Sequence, residues 1–507
     1  MAFFNSRFLL KNQIIYYFFY LQRYFTIIMG CLESKPTKDF YEAIEHDITM
    51  KDMVVFKNGS ITERYEVDPT PIGNGTTGEV LKAKHKFTGN LRAVKVLSKK
   101  KIDEEKLRKE ITLLRTLDHP NLLKIFEVYI DVNNFYVVSE LCTGKDLFEY
   151  MQQQGKISEA IAARIIREVL SGIGYMHRHG VGHLNINPTS LRFDNDKENA
   201  PIKITNFANA EVFKDYSPYK KLLNTPEYMA PEVILGAYTT RVDVWACGIL
   251  LYILLSGKVP FNGATRDEML NAIKTAPVEF NDAIWSQISD EAKDLITKLL
   301  QKDMRDRISA EDALVHPWLH MKLDDKTIDK KAAQEALDRM KAFRATKSIQ
   351  SAIWTYMTHY VAAKEEKETM LYIFKALDRD NDGQLSKEEV KEGYRNYFTI
   401  PTTYSVDGIF DSLDKNKSDH IDYHEFIEAA LGQQMMASKT HLENTFKMLD
   451  ADGSGGISVD ELRSAFGSEA VLADDNYWAN LIKQGDKNGD GQIQFEEFMA
   501  LMKEMRV

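Results

Sequence analysis

Apolar and polar positions recur along this chain with two different periods, and each predicts a different element. From Arg92 to Val96 the order Arg-Ala-Val-Lys-Val alternates, the period-2 pattern of a strand that presents Lys95 on one face. Strand-like runs also flank the glycine-rich stretch Ile72 to Val80, and Asp103 to Leu117 reads as a helix carrying Glu110. Lys326 to Val361 contains neither Pro nor Gly and reads as a longer helix. There Ala333, Leu337, Met340 and Phe343 keep to one face, and Ile353, Met357 and Tyr360 form a second stripe. Lys330, Lys331, Arg339, Lys341, Arg344 and Lys347 surround the first stripe, which makes this a basic amphipathic helix.

The strongest pattern is a repeat. Asp378, Asp414, Asp450 and Asp486 each open a similar stretch, 36 residues after the one before. An EF-hand calcium loop needs oxygen ligands at positions 1, 3, 5, 7, 9 and 12 and a tight turn at position 6. The first stretch offers Asp378, Asp380, Asp382, Gln384 through its carbonyl, and Glu389. In the same places the second has Asp414, Asn416, Ser418, His420 and Glu425, and the third has Asp450, Asp452, Ser454, Gly456 and Glu461. The fourth has Asp486, Asn488, Asp490, Gln492 and Glu497. Gly383, Gly455 and Gly491 stand at the turn, but the second loop has Asp419 there. Asp takes left-handed backbone at some cost, so this loop is expected to bind calcium most weakly. Leu385, Ile457 and Ile493 at position 8 suit a short strand that pairs two loops. One such stretch reads equally as a solvated acidic turn; four in register read as four calcium sites. Seven methionines between Met370 and Met505 suit a groove that opens when calcium binds.

Charge supports this division. The whole chain carries −10, but Glu368 to Val507 holds 27 acidic and 14 basic residues, a net of −13, which leaves +3 for the rest. Acidity concentrated there argues against nucleic acid and for cations as partners. The 507 residues leave room for about three domains, and 44% hydrophobic with 28% charged residues fit a globular class. Cys31, Cys142 and Cys247 lack metal-ligand spacing and are too few for a disulfide framework, so a reducing cytoplasm is the expected compartment.

Met1 to Ile28 is rich in Phe, Tyr, Ile, Leu and Asn, yet only 11 uncharged residues separate Lys11 from Arg23, too few to span a bilayer. It reads as a targeting peptide or, in the preferred reading, as sequence upstream of a start at Met29. Met29-Gly30-Cys31-Leu32-Glu33-Ser34 fits the N-myristoylation pattern, with Cys31 as a second acylation point and Lys35 and Lys38 beside it. One acyl chain binds membranes only marginally, so both signals would be needed for membrane association.

The remaining motifs concern phosphate chemistry. Ile72-Gly-Asn-Gly-Thr-Thr-Gly-Glu-Val80 reads G-x-G-x-x-G-x-V and stands before Lys95 and Glu110. Glycines let a backbone approach phosphates, and a strand lysine paired with a helix glutamate grips them. Together these resemble a protein kinase N-lobe. Pro226-Glu-Tyr-Met-Ala-Pro-Glu232, Asp243-Val-Trp245, Arg307-Ile-Ser-Ala310 and His316-Pro-Trp318 resemble the C-lobe. The resemblance implies nucleotide contacts from Gly73, Gly75, Gly78, Val80, Lys95, Glu110 and the hinge residue Glu140. It implies a small residue, Ser139, at the back of the pocket, and a scaffolding pair between Glu232 and Arg307.

The catalytic positions depart from the family. Where H-R-D-L-K-P-E-N is expected, the chain reads His183-Leu-Asn-Ile-Asn-Pro-Thr-Ser190. Asn185 replaces the base, Asn187 the lysine and Ser190 the metal-binding asparagine, and Asn206 replaces the aspartate of D-F-G. An amide accepts no proton near neutrality, and loss of a general base costs roughly 10² to 10⁴ in rate. A neutral amide also holds magnesium poorly, so Mg²⁺ is not expected to bind as in an active kinase, while ATP binding stays open.

Kinase-like region, basic helix and calcium loops together resemble the calcium-dependent protein kinase family. The implied fold is an α+β bilobal kinase fold, with a β-rich N-lobe and a helical C-lobe, followed by an all-α calmodulin-like domain with four EF-hands. The expected layout is an extension over 1–64, a kinase-like domain over 65–318, a helical junction over 319–367 and the calcium module over 368–507. The resemblance implies that the module takes the junction helix as its target. A binding or scaffold protein switched by calcium, with an unidentified protein partner, is the expected function. An active calcium-dependent serine/threonine kinase with unusual metal use is the alternative, and a plain calcium buffer is a third.

Overall fold

The structure, a computed structural model, describes residues 48, 52–53, 55–75, 78–155, 157–213, 226–320, 330–342, 348–397, 406–466 and 475–504. The acylation motif at Gly30 and Cys31 lies outside them, as do Phe343, Arg344, Lys347 and Met505.

A six-stranded sheet comes first, with strands β1 (Val55–Asn58), β2 (Tyr65–Gly75), β3 (Gly78–His85), β4 (Leu91–Ser98), β5 (Ile125–Ile130) and β6 (Asn134–Glu140). Their spatial order is β1-β5-β6-β4-β3-β2; β1 joins β5 in parallel and the other pairs are antiparallel. β1 falls in the stretch read as an extension. It is too short for its period to show in the sequence.

The alternation seen around Lys95 sorts the two faces of this sheet. Leu97 and Val137 pack with Leu107 and Ile111 of the helix Glu104–Arg115, which Asp103 caps by accepting from the Glu105 N–H. Lys95 stands opposite Val137 and Val80 on that face. Val94, Ala83 and Val138 point the other way, into a second core shared with Ile353, Met357 and Tyr360.

The helical lobe is built around Glu159–Arg178 and Arg241–Ser256, the latter apolar and buried nearly all round. Arg307 and Glu232 form a buried bidentate pair, at 2.5 and 2.9 Å.

The junction is two described helices, Lys330–Ala342 and Ser348–Tyr356, and the second runs into a π-helical turn, Met357–Val361. Ala333, Leu337 and Met340 are wholly buried. The Trp354 indole lies across Gly432, where a Cβ would come within 1.6 Å of the ring, and donates to the Glu428 carbonyl at 2.9 Å.

Beyond the junction, helices flank each calcium loop, and short strands pair the loops two by two. Gln384–Ser386 pairs with His420–Asp422, and Gly456–Ile457 with Ile493–Gln494. Leu385 faces Ile421 and Ile457 faces Ile493, all completely buried. The junction end and this module cover the outer face of the strand sheet, the face turned away from Lys95. Arg64 donates to the Met448 carbonyl at 3.1 Å, Arg92 to Tyr360 at 3.3 Å, and the Tyr360 hydroxyl to Phe126 at 3.2 Å. No helix among the described residues is long and apolar enough to cross a membrane.

Candidate functional site

The same two carboxylates organise all four loops. The first aspartate accepts the N–H at position 6: Asp378 from Gly383 at 3.0 Å, Asp414 from Asp419 at 2.9 Å, Asp450 from Gly455 at 3.0 Å and Asp486 from Gly491 at 2.9 Å. The last glutamate reaches back to the N–H at position 2. Glu389 takes Arg379 at 2.8 Å, Glu425 takes Lys415 at 2.9 Å, Glu461 takes Ala451 at 2.8 Å and Glu497 takes Lys487 at 2.9 Å. These bonds fold each loop around its own carboxylates, which keep lone pairs that a hard cation can share.

The turn positions distinguish the loops. Backbone at positions 4 and 6 is left-handed in every one, with Gly453 and Gly455 in the third and Gly489 and Gly491 in the fourth. The first uses Asn381 and Gly383. The second uses Lys417 at φ 56 and Asp419 at φ 63, so neither of its left-handed positions is a glycine.

Asp378, Asp380 and Asp382 bring one carboxylate oxygen each within 4.8 Å of one another, and so do Asp450, Asp452 and Glu461. Burial pushes the Asp378 carboxyl well above the usual range, and Asp382, Glu389 and Asp380 push it further. Burial, with help from Asp422, lifts Glu425 to about 8. Crowded, shielded carboxylates of this kind are what a dication relieves.

Three residues escaped the sequence reading. Asp422, at position 9 of the second loop, accepts from Gln384 Nε2 at 2.6 Å and Asn416 Nδ2 at 2.8 Å, and counting along the loop would have found it. Arg178, at the end of its helix in the kinase-like lobe, donates to the Asp382 carbonyl at 2.8 Å and to Gln384 Oε1 at 3.1 Å, and it lies 3.3 Å from Asp382 Oδ2. His119 of the same lobe lies against Gly383, so close that a Cβ there would come within 1.9 Å of its ring. No local pattern announces contacts between residues so far apart in sequence.

On the inner face of the strand sheet, Val80 lies in register with Lys95. Burial lowers the pKa of Lys95 while Glu110 opposes that shift; burial raises Glu110 while Lys95 opposes that one. The two charges therefore answer each other across the strand and the helix. Gly78 is required by packing, since a Cβ would lie 2.0 Å from the Val96 carbonyl oxygen. Gly73 has open space where its Cβ would be, and Gly75 pairs with Gly78 at the turn end of β2. Ser139 is nearly buried. The Glu140 carboxylate holds Lys203 at 2.9 Å and accepts the Lys124 N–H at 2.8 Å, and its own N–H donates to the Lys124 carbonyl at 2.9 Å.

The loop from His183 to Ser190 keeps its backbone. Leu184 is left-handed at φ 61, held there by Asp243, whose carboxylate accepts the His183 and Leu184 N–H groups at 2.8 Å each. Asn206 is also left-handed, at φ 62, which an Asn tolerates well. Polar side chains in the loop turn on one another. Asn187 Nδ2 donates to Asn185 Oδ1 at 3.1 Å and to the Asn185 carbonyl at 3.0 Å. Asn187 Oδ1 accepts from the Thr189 N–H at 3.0 Å and hydroxyl at 2.7 Å. Ser190 Oγ donates to the Asn187 carbonyl at 2.9 Å.

Comparison with known proteins agrees with this arrangement. The protein kinase domain matches residues 66–319, and the EF-hand domain pair matches 367–431 and 439–503. The chain is 37% identical over 336 residues to calcium-dependent protein kinase 4 of Plasmodium berghei (strain Anka), which covers 65% of this chain and 64% of that protein. It is 33% identical over 343 residues to calcium-dependent protein kinase 5 of Plasmodium falciparum (isolate 3D7), covering 67% of this chain and 60% of that one. It is 32% identical over 378 residues to calcium-dependent protein kinase 3 of Plasmodium yoelii yoelii, covering 74% of this chain and 69% of that one. The matched stretch thus spans less than two thirds of the first two relatives named. A kinase domain implies ATP as ligand and EF-hand pairs imply calcium, and the chain belongs to the calcium-dependent protein kinase family.

Proposed function

We propose that this protein is a calcium-switched binding protein whose kinase-like region holds nucleotide without ordinary phosphoryl transfer. The supporting observation is the loop around Asn185. The position of the base carries an amide whose oxygen already accepts from Asn187. The two places that would hold magnesium carry Ser190, bonded to its own turn, and Asn206. Nothing there takes a proton or anchors a metal as a carboxylate would. The calcium loops, by contrast, keep their full oxygen sets.

In this reading the calcium module takes the junction as its target. The buried stripe Ala333, Leu337 and Met340 supports it, together with Arg339, which donates to the Ala430 carbonyl at 2.9 Å. Calcium would set which surface the junction and module present to a protein partner. Acylation at Gly30 and Cys31 would bring that surface to a membrane.

A second reading, an active calcium-dependent kinase with unusual metal use, is favoured by the matched charges of Lys95 and Glu110. Phosphate transfer from labelled ATP decides between them, run with Mg²⁺ or Mn²⁺, with and without calcium, against a Lys95→Met control. No transfer in any condition is expected. Calcium-dependent transfer that Lys95→Met abolishes would establish the second reading instead.

A further inference from the structure

Where the kinase-like lobes, the junction and the calcium module meet, they line a partly open cavity of about 100 Å³. Five cations line it: Arg92, Lys124, Lys203, Lys364 and Lys367. Two are matched, Lys203 by Glu140 at 2.9 Å and Lys364 by Asp194 at 2.6 Å. A third acid, Glu368, is held by Lys197 at 2.7 Å. The last, Asp118, gives Oδ2 to the His424 N–H at 2.6 Å, and Lys124 stands 3.9 Å from its Oδ1.

Among the described residues Arg92 and Lys367 make no ion pair, although Glu127 and Glu140 attract the Arg92 charge. The Arg92 guanidinium lies 3.9 Å over the Phe126 ring and donates to the Tyr360 carbonyl. The Lys367 ammonium donates to the His359 carbonyl at 3.2 Å and has no ion pair among the described residues. Burial first, then repulsion by Lys124 and Arg92, holds its pKa well below the usual lysine range, with a smaller pull the other way from Glu140 and Glu366. His359 is completely buried beside this group, and neither of its ring nitrogens has a hydrogen-bond partner. The charged groups around its ring are again Lys124, Lys367 and Arg92, with His424.

Shielded cations crowded on one another are costly, and a charge-assisted hydrogen bond to an oxyanion lowers that cost. A water needs about 10–15 Å³ of such space, so the cavity has room for a small tetrahedral ion. We propose that this cavity is a binding site for inorganic phosphate or a similar small oxyanion, held by Lys367, Lys124 and Arg92. Its walls come from both the kinase-like region and the calcium module, so the bound anion stabilises their docked arrangement by simple linkage. The site depends on that docked geometry and not on whether the chain transfers phosphate.

The test is titration of the full-length, calcium-saturated protein with inorganic phosphate at constant ionic strength, followed by calorimetry and by thermal unfolding. One saturable site is expected, with a melting temperature that rises with phosphate. Lys367→Met and Lys124→Met should each weaken binding at least tenfold, while Lys258→Met, an exposed lysine of the helical lobe, leaves it unchanged. Methionine keeps most of the length and shape of lysine, and unfolding in chloride alone shows whether each variant folds. The wild-type result also stands by itself, since absence of saturable binding overturns the proposal. Binding that both cavity variants retain at full strength overturns it too, by placing the anion elsewhere.

Discussion

The calcium loops and the loop around Asn185 are built from similar parts and reach opposite ends. Both are tight turns in which Asp, Asn and Ser side chains hold backbone N–H groups, and both use left-handed residues. In the calcium loops, both oxygens of Asp378 and of Glu389 accept backbone N–H groups, and their negative charge and remaining lone pairs can still be shared with a cation. Around Asn185 an amide brings donors of its own, so each acceptor has a neighbour to satisfy it and the polar groups close on one another. The lesson is that shape and charge separate easily. Asn206 keeps the left-handed backbone of its position without a carboxylate, and Asp419 keeps the turn of its loop without a glycine.

The comparison breaks most visibly if charge is put back. Asn185→Asp alone should leave phosphate transfer absent, because Ser190 and Asn206 still hold no metal. The triple change Asn185→Asp, Ser190→Asn and Asn206→Asp should produce Lys95-dependent transfer about 10² or more above the background of the assay, measured with labelled ATP. Removal of charge from the other region should cost less. Glu461→Gln or Glu497→Gln should weaken calcium at the altered loop by roughly 10- to 100-fold, read in a calcium titration of the full chain. Equal affinity in the variants would mean that those glutamates serve the turn and not the ion.

Two smaller effects concern shape. Gly432→Ala puts a methyl into the Trp354 ring and should lower stability by about 1–3 kcal/mol, seen as a lower melting temperature and altered tryptophan fluorescence. Asp419→Gly relieves left-handed strain in the second loop, worth about 1 kcal/mol, and should tighten calcium there about fivefold. The reverse change, Gly455→Asp, should weaken the third loop by a similar factor. A second loop indifferent to Asp419→Gly would show that its missing carboxylates set its affinity.

The sequence carried the local parts of this molecule well. The spacing of Asp378, Asp414, Asp450 and Asp486 gave the loops, and the strand pairing of Leu385 with Ile421 follows from position 8. The alternation around Lys95 separated the inner and outer faces of the strand sheet. What the sequence did not carry is long-range. β1, four residues long, shows no period. The self-bonding of Asn187 with Asn185 depends on rotamers that residue types do not fix. The docking of Tyr360 on Phe126, and of Arg178 on the first loop, joins residues hundreds of positions apart, and no pattern within either segment encodes the other.

Arg178 gives the first loop a different history from the rest. Its guanidinium sits on Asp382, a residue a calcium ion would also use. The first loop is therefore moored to the lobe, and an ion inside it shares its harbour with a rope. A calcium ion in this loop would compete with Arg178 for Asp382, so filling the loop is tied to the docking of the lobe.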